Sequence, residues 1–80
     1  MNVGMLWFDN DPKTDLATKI ARAATYYLNK YGQQPTVCFV HPSMVKNNPP
    51  KSNGITVKPS RSVMPHHLWL GLNGNGASSG

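Results

Sequence analysis

Only one stretch of this chain repeats its apolar residues at helical spacing, and it lies between two short apolar runs. Leu16, Ile20, Ala23, Ala24, Tyr27 and Tyr31 recur at intervals of three and four, as in a helix with one buried face. Before it stands Val3-Gly4-Met5-Leu6-Trp7-Phe8, and after it Thr36-Val37-Cys38-Phe39-Val40. Both runs are apolar in both parities, the pattern of strands covered on both faces. Strand, helix and strand make a βαβ unit, whose strands run parallel through a right-handed crossover. Ile55-Thr56-Val57-Lys58 alternates like a half-exposed strand that Pro59 ends or places at an edge. His67 to Leu72 reads as a last strand. The expectation is a small α/β domain (α+β as the alternative) in β-α-β-β-β order. One principal helix packs on one face of a mixed four-stranded sheet.

The helix boundaries have chemical signals. Asp11-Pro12 reads as a start, with Thr14 a competing cap. Lys30-Tyr31-Gly32 reads as a stop, with a cation in the last turn and a glycine able to turn left-handed. Asp15 and Lys19 are spaced as a favourable pair on the helix surface. Residues 42–54 and 60–65 read as connections. Residues 73–80, made only of Gly, Asn, Ser and Ala, read as a disordered tail after a domain spanning 1–72.

Eighty residues at 39% apolar content allow one modest core and exclude a two-domain enzyme. Cys38 is the only cysteine, which rules out an intramolecular disulfide and suits a reducing compartment; with no signal-peptide pattern, the expected location is cytoplasmic. No apolar run approaches the length of about 20 residues needed to span a bilayer.

One helix can cover only one face of the sheet. If Leu6, Phe8, Leu68 and Leu70 face it, then Met5, Trp7 and Trp69 emerge on the other side as an apolar patch of the kind that marks an interface. The leading expectation is a non-enzymatic binding module that meets a second copy of itself, or another protein, through that face. The competing arrangement folds the connections back as a cover, through Met44, Val45, Val63 and Met64. The expected core is Leu6, Phe8, Leu16, Ile20, Val37, Phe39, Leu68 and Leu70.

A second function follows from charge. The formal net charge is +5, and from Leu16 onward there are five Lys and two Arg but no carboxylate side chain. That balance favours polyanions. Lys19, Arg22, Tyr26 and Lys30 fall on the helix's outer face, three cations flanking an aromatic, and Arg61 adds a cation in the second connection. This is a candidate nucleic-acid surface; the plainer reading is an ordinary solvated helix face.

A third function is a small metal-dependent or hydrolytic enzyme. Asp9, Asp11 and Asp15 are the only acidic side chains, clustered where the first strand gives way to the helix. The ends of both βαβ strands share one sheet edge, so Asp9 and Asp11 would meet His41 there. The start of an antiparallel last strand would add His66 and His67. Asp-x-Asp is a common spacing, and the plainer reading gives Asp11 and Asp15 to the helix start and His41 to a turn. No cofactor is expected, and no strong metal-ligand spacing is present. Cys38 sits in an apolar strand and reads as core.

Phe8-Asp9-Asn10-Asp11 resembles the opening motif of haloacid dehalogenase phosphatases. There the first Asp is the nucleophile and the second an acid–base, roles that would fall to Asp9 and Asp11. The resemblance stops at Pro12-Lys13, where that family has Gly-Thr, and eighty residues leave no room for its later motifs. It assigns no family.

Overall fold

Helix α1 spans Leu16–Tyr31, and it begins at the last of the three aspartates. Asp15 is extended and its Oδ1 accepts from the Thr18 amide at 2.9 Å, so it takes one of the free N–H groups of the first turn. The start expected at Asp11 therefore moves by one turn. Asp11 spends its carboxylate earlier, accepting from the Lys13 amide at 3.0 Å and the Thr14 hydroxyl at 2.6 Å. The stop falls where the sequence signals it. Gly32 takes the left-handed conformation (φ 79°) and its N–H reaches the Leu28 carbonyl at 2.8 Å.

The computed structural model describes residues 4–45 and 54–72. Its strands are β1 (Gly4–Phe8), β2 (Val37–Val40), β3 (Thr56–Pro59) and β4 (His67–Gly71), with a single 3₁₀ turn at Pro42–Met44. The fold is α/β, one helix on a mixed four-stranded sheet in the order β1-β4-β2-β3. Strand β4 runs antiparallel to both β1 and β2, while β3 runs parallel to β2. The βαβ strands thus point the same way, as expected, but they are not neighbours: β4 fills the gap between them. The expected tail at 73–80 and most of the 42–54 loop lie outside the described residues.

The sheet register corrects the expected core. Met5 pairs with Leu70 and Trp7 with Leu68, while Leu6 pairs with Trp69 and Phe8 with His67. Directly paired residues share a face, so Met5 and Trp7 join Leu68 and Leu70 beneath the helix. Met5 is buried and Trp7 packs against the core, its ring 5.3 Å from that of Tyr26. Leu6 and Phe8 point the other way and are 62% and 57% exposed. From β2, Cys38 and Val40 pair with Leu70 and Leu68 and complete the helix side. Of the expected core, Ile20, Val37, Leu68 and Leu70 are buried, Leu16 and Phe39 are half-buried, and Leu6 and Phe8 are not core at all.

The helix lays Ile20, Ala23, Ala24 and Tyr27 on this core. Ile20 is fully enclosed. Ile20→Ala should cost about 2–5 kcal/mol, a large part of the stability of so small a domain. Urea denaturation checks this, and a near-unchanged midpoint would mean that the helix does not pack through this residue.

Candidate interaction surface

The face away from the helix has an aromatic row across its width. Register places Leu6, Trp69, Phe39 and Lys58 side by side, one from each strand. The rings of Phe39 and Trp69 are 5.7 Å apart and tilted, as attractive aromatic pairs are. In the next row Phe8 stands 5.0 Å from the His67 ring. Among the described residues no second helix or strand lies over this face.

The turn from β3 to β4 closes one side of the surface and makes it a groove. Val63 is buried in it, whereas Met64 is 68% exposed. With Leu6, Phe39, Ser60, Ser62, His67 and Trp69 these residues line an open cavity of about 470 Å³. Of the four residues expected to cover this face, the structure splits two from two. Val63 and Met64 edge the open face, while Met44 and Val45 pack on the helix-side core instead.

Two local devices hold the groove. The first is a tight turn: the His67 amide donates to the Met64 carbonyl at 3.1 Å. Pro65 is in its second position and His66 in its third, with a φ of 66°. That is the sign pattern of a type II turn, in which the third residue must be left-handed. The second is Gly4. A Cβ at this position would overlap Cζ2 and Cε2 of the Trp69 indole, so the absence of a side chain is what seats the indole on the sheet.

Of the three interface residues read from the sequence, only Trp69 lies here; Met5 and Trp7 lie on the helix side. Leu6, Phe8, Phe39 and Met64 share this side of the sheet with Trp69. The sequence contained these residues but not the register that separates them from their neighbours.

The structure forms the expected Asp/His edge as a location. The Asp9 amide donates to the His66 carbonyl at 2.9 Å, so β1 does end beside the start of β4. Asp9, Asp11, His41 and His67 make local hydrogen bonds there. Asp9 Oδ1 accepts from the Asp11 amide at 3.0 Å, and the Asp9 carbonyl accepts from Lys19 Nζ at 3.2 Å. The Thr14 and Lys13 donors, helped by the charges of Lys19 and Arg22, hold the Asp11 carboxyl below its ordinary range. His41 Nδ1 accepts from the Ser43 amide at 3.1 Å, capping the 3₁₀ turn. His67 Nδ1 meets the Pro65 carbonyl at 2.9 Å and must donate to it. Among the described residues no group of three or more His, Cys, Asp or Glu could hold a metal ion. Cys38 is fully buried and its thiol is pushed up to about 12 by that burial, which leaves no thiolate for nucleophilic work near neutral pH.

The basic helix face is also smaller than its sequence implies. Lys19 is buried, with its ammonium on the Asp9 carbonyl rather than in solvent. Tyr26 is half-exposed but leans on Trp7, and Lys30 lies 5.5 Å over the Tyr31 ring. Arg22 remains exposed on the helix. Arg61 belongs to the turn whose neighbours Ser60 and Ser62 line the groove, and not to the helix side. Among the described residues no helix is long and apolar enough to cross a membrane. Comparison with known protein families, curated proteins and solved structures finds no match for this chain.

Two outcomes test this geometry. Gly4→Ala should unseat Trp69, shifting its fluorescence and costing about 1–3 kcal/mol, as overpacking does; an unchanged spectrum would show that the indole does not rest on Gly4. Asp15 makes the acid prediction. Hydrogen bonds from Thr18 lower its pKa in the folded protein, so its stabilising effect is complete above the unfolded value of about 3.9 and disappears as pH falls through the folded one. Thermal denaturation of Asp15→Ala should therefore show a lower midpoint than wild type at neutral pH, with the gap closing in strong acid. A gap independent of pH would remove the capping role.

Proposed function

We propose that this protein is a small non-enzymatic binding module and that the sheet face opposite the helix is its binding surface. One observation supports the reading above the others: Leu6, Phe8 and Met64 are more than half exposed beside the half-buried rings of Phe39 and Trp69, on one surface. Isolated apolar residues at a surface are ordinary, but a contiguous aromatic and aliphatic face is typical of an association site. The groove is mostly apolar with a few polar groups at its rim, Ser60, Ser62 and His67, which suits recognition by contact rather than catalysis. The Asp/His edge offers no comparable support for an enzyme, because Asp9, Asp11, His41 and His67 serve the turns in which they sit.

A binding face should be dispensable for folding. Leu6→Ser and Phe8→Ser should each change stability by no more than about 0.5 kcal/mol, as surface substitutions do. Trp7→Ser, one residue from both but on the helix side, should cost about 2 kcal/mol or more. Chemical denaturation of the three variants reads the contrast directly. Loss of folding in the first two would place their side chains in the core and end the proposal.

A further inference from the structure

We propose that the occupant of the open face is a single-stranded nucleic acid, its bases stacked on the aromatic row; this inference rests on the binding role proposed above. The row Leu6, Trp69, Phe39 and Lys58 crosses all four strands. With strands about 4.8 Å apart it spans about 14 Å. Two aromatic rings occupy its centre, and a third, Phe8, stands in the next row at 57% exposure. Aromatic platforms of this kind take unpaired bases whatever their identity, because every base has a π-face.

Charge selects this occupant from the others. The row runs from apolar at β1 to cationic at β3, where Lys58 is exposed, and Arg61 follows in the turn beside the groove. All three acidic side chains lie between Asp9 and Asp15, in the segment that leads into the helix. A strand laid across the face would find stacking surface in the middle and phosphate partners at the β3 margin. A second copy would bring a like charge of +5 and its own Lys58 and Arg61 to the same surface, a repulsion that a polyanion turns into attraction. The basic residues of the helix lie on the other side of the sheet, and Lys19 is already engaged with Asp9.

The test titrates the full chain with short oligothymidylate while following tryptophan emission, and a labelled oligonucleotide by anisotropy. Trp69 emission should be quenched, with Trp69→Phe removing the quench; Trp7, beneath the helix, supplies a constant background. Phe8→Ala should weaken binding roughly 5- to 160-fold, the range of one lost base stack. Lys58→Gln with Arg61→Gln should reduce the salt slope by about 1.4, two single-strand phosphate contacts. Arg22→Gln with Lys30→Gln should change neither. The inference fails if no binding occurs at low salt, if Phe8→Ala has no effect, or if the helix pair alone abolishes binding. Self-association or acidic-peptide binding that depends on Phe8, without oligonucleotide binding, would sink the nucleic-acid partner and leave the binding face standing. Unfolding of Leu6→Ser and Phe8→Ser would sink both.

Discussion

Strand β4 determines which side of this protein is inside. Among the described strands it alone has antiparallel neighbours on both sides, and the helix lies over it. Its pairing with β1 puts Leu68 opposite Trp7 and Trp69 opposite Leu6. A slip of one residue would exchange the two sets, because neighbouring side chains point to opposite faces. The aromatic groove, the helix-side core and the seat of Trp69 on Gly4 all follow from that one register. The seat of the indole also acts back on it. Trp69 can lie over β1 only where β1 has no side chain, and Gly4 is the position that allows it.

The acidic cluster is best understood through the same strand. Asp9 links three elements: its amide holds the turn before β4, its carbonyl receives Lys19 from the helix, and its carboxylate holds the Asp11 amide. Asp11 orders the next turn and Asp15 caps the helix. Three successive aspartates thus take the chain from the end of a strand to the first turn of a helix, where negative charge also suits the helix dipole. Their close spacing in sequence has a structural cause and needs no reaction to account for it.

The elements were legible because their signals are local. The period of the helix, its glycine stop, the alternation at Ile55 to Lys58 and the proline at the end of β3 are each read within a few residues, and each holds. The helix start was harder, since Asp11, Thr14 and Asp15 are all competent caps and the choice depends on where the preceding turn ends. The faces of β1 could not be read at all. Met5, Leu6, Trp7 and Phe8 are apolar without interruption, so no alternation marks which pair is buried; a partner more than sixty residues away decides it. The candidate site inherited that ambiguity: Trp69 was on the open face and Trp7 was not. Lys19 was misplaced for a related reason. Its position on the helix reads as solvent-facing, but a long aliphatic stem lets a lysine bury its length and still deliver its ammonium to a carbonyl.

An open aromatic face is a cost in a small domain, because its apolar area contributes nothing to folding and invites association. The chain had a cheaper alternative in the same residues. Polar side chains at Leu6 and Phe8 would leave the helix-side core intact, since neither belongs to it. Polar residues do occur at the corresponding margin, where Thr56 and Lys58 share the face on β3. Apolar character is therefore concentrated on β1, β4 and β2 and stops at β3, instead of covering the sheet at random. The surface is thus graded, with rings at one side and a cation at the other. Repulsion from a net charge of +5 meanwhile works against two such faces closing on each other.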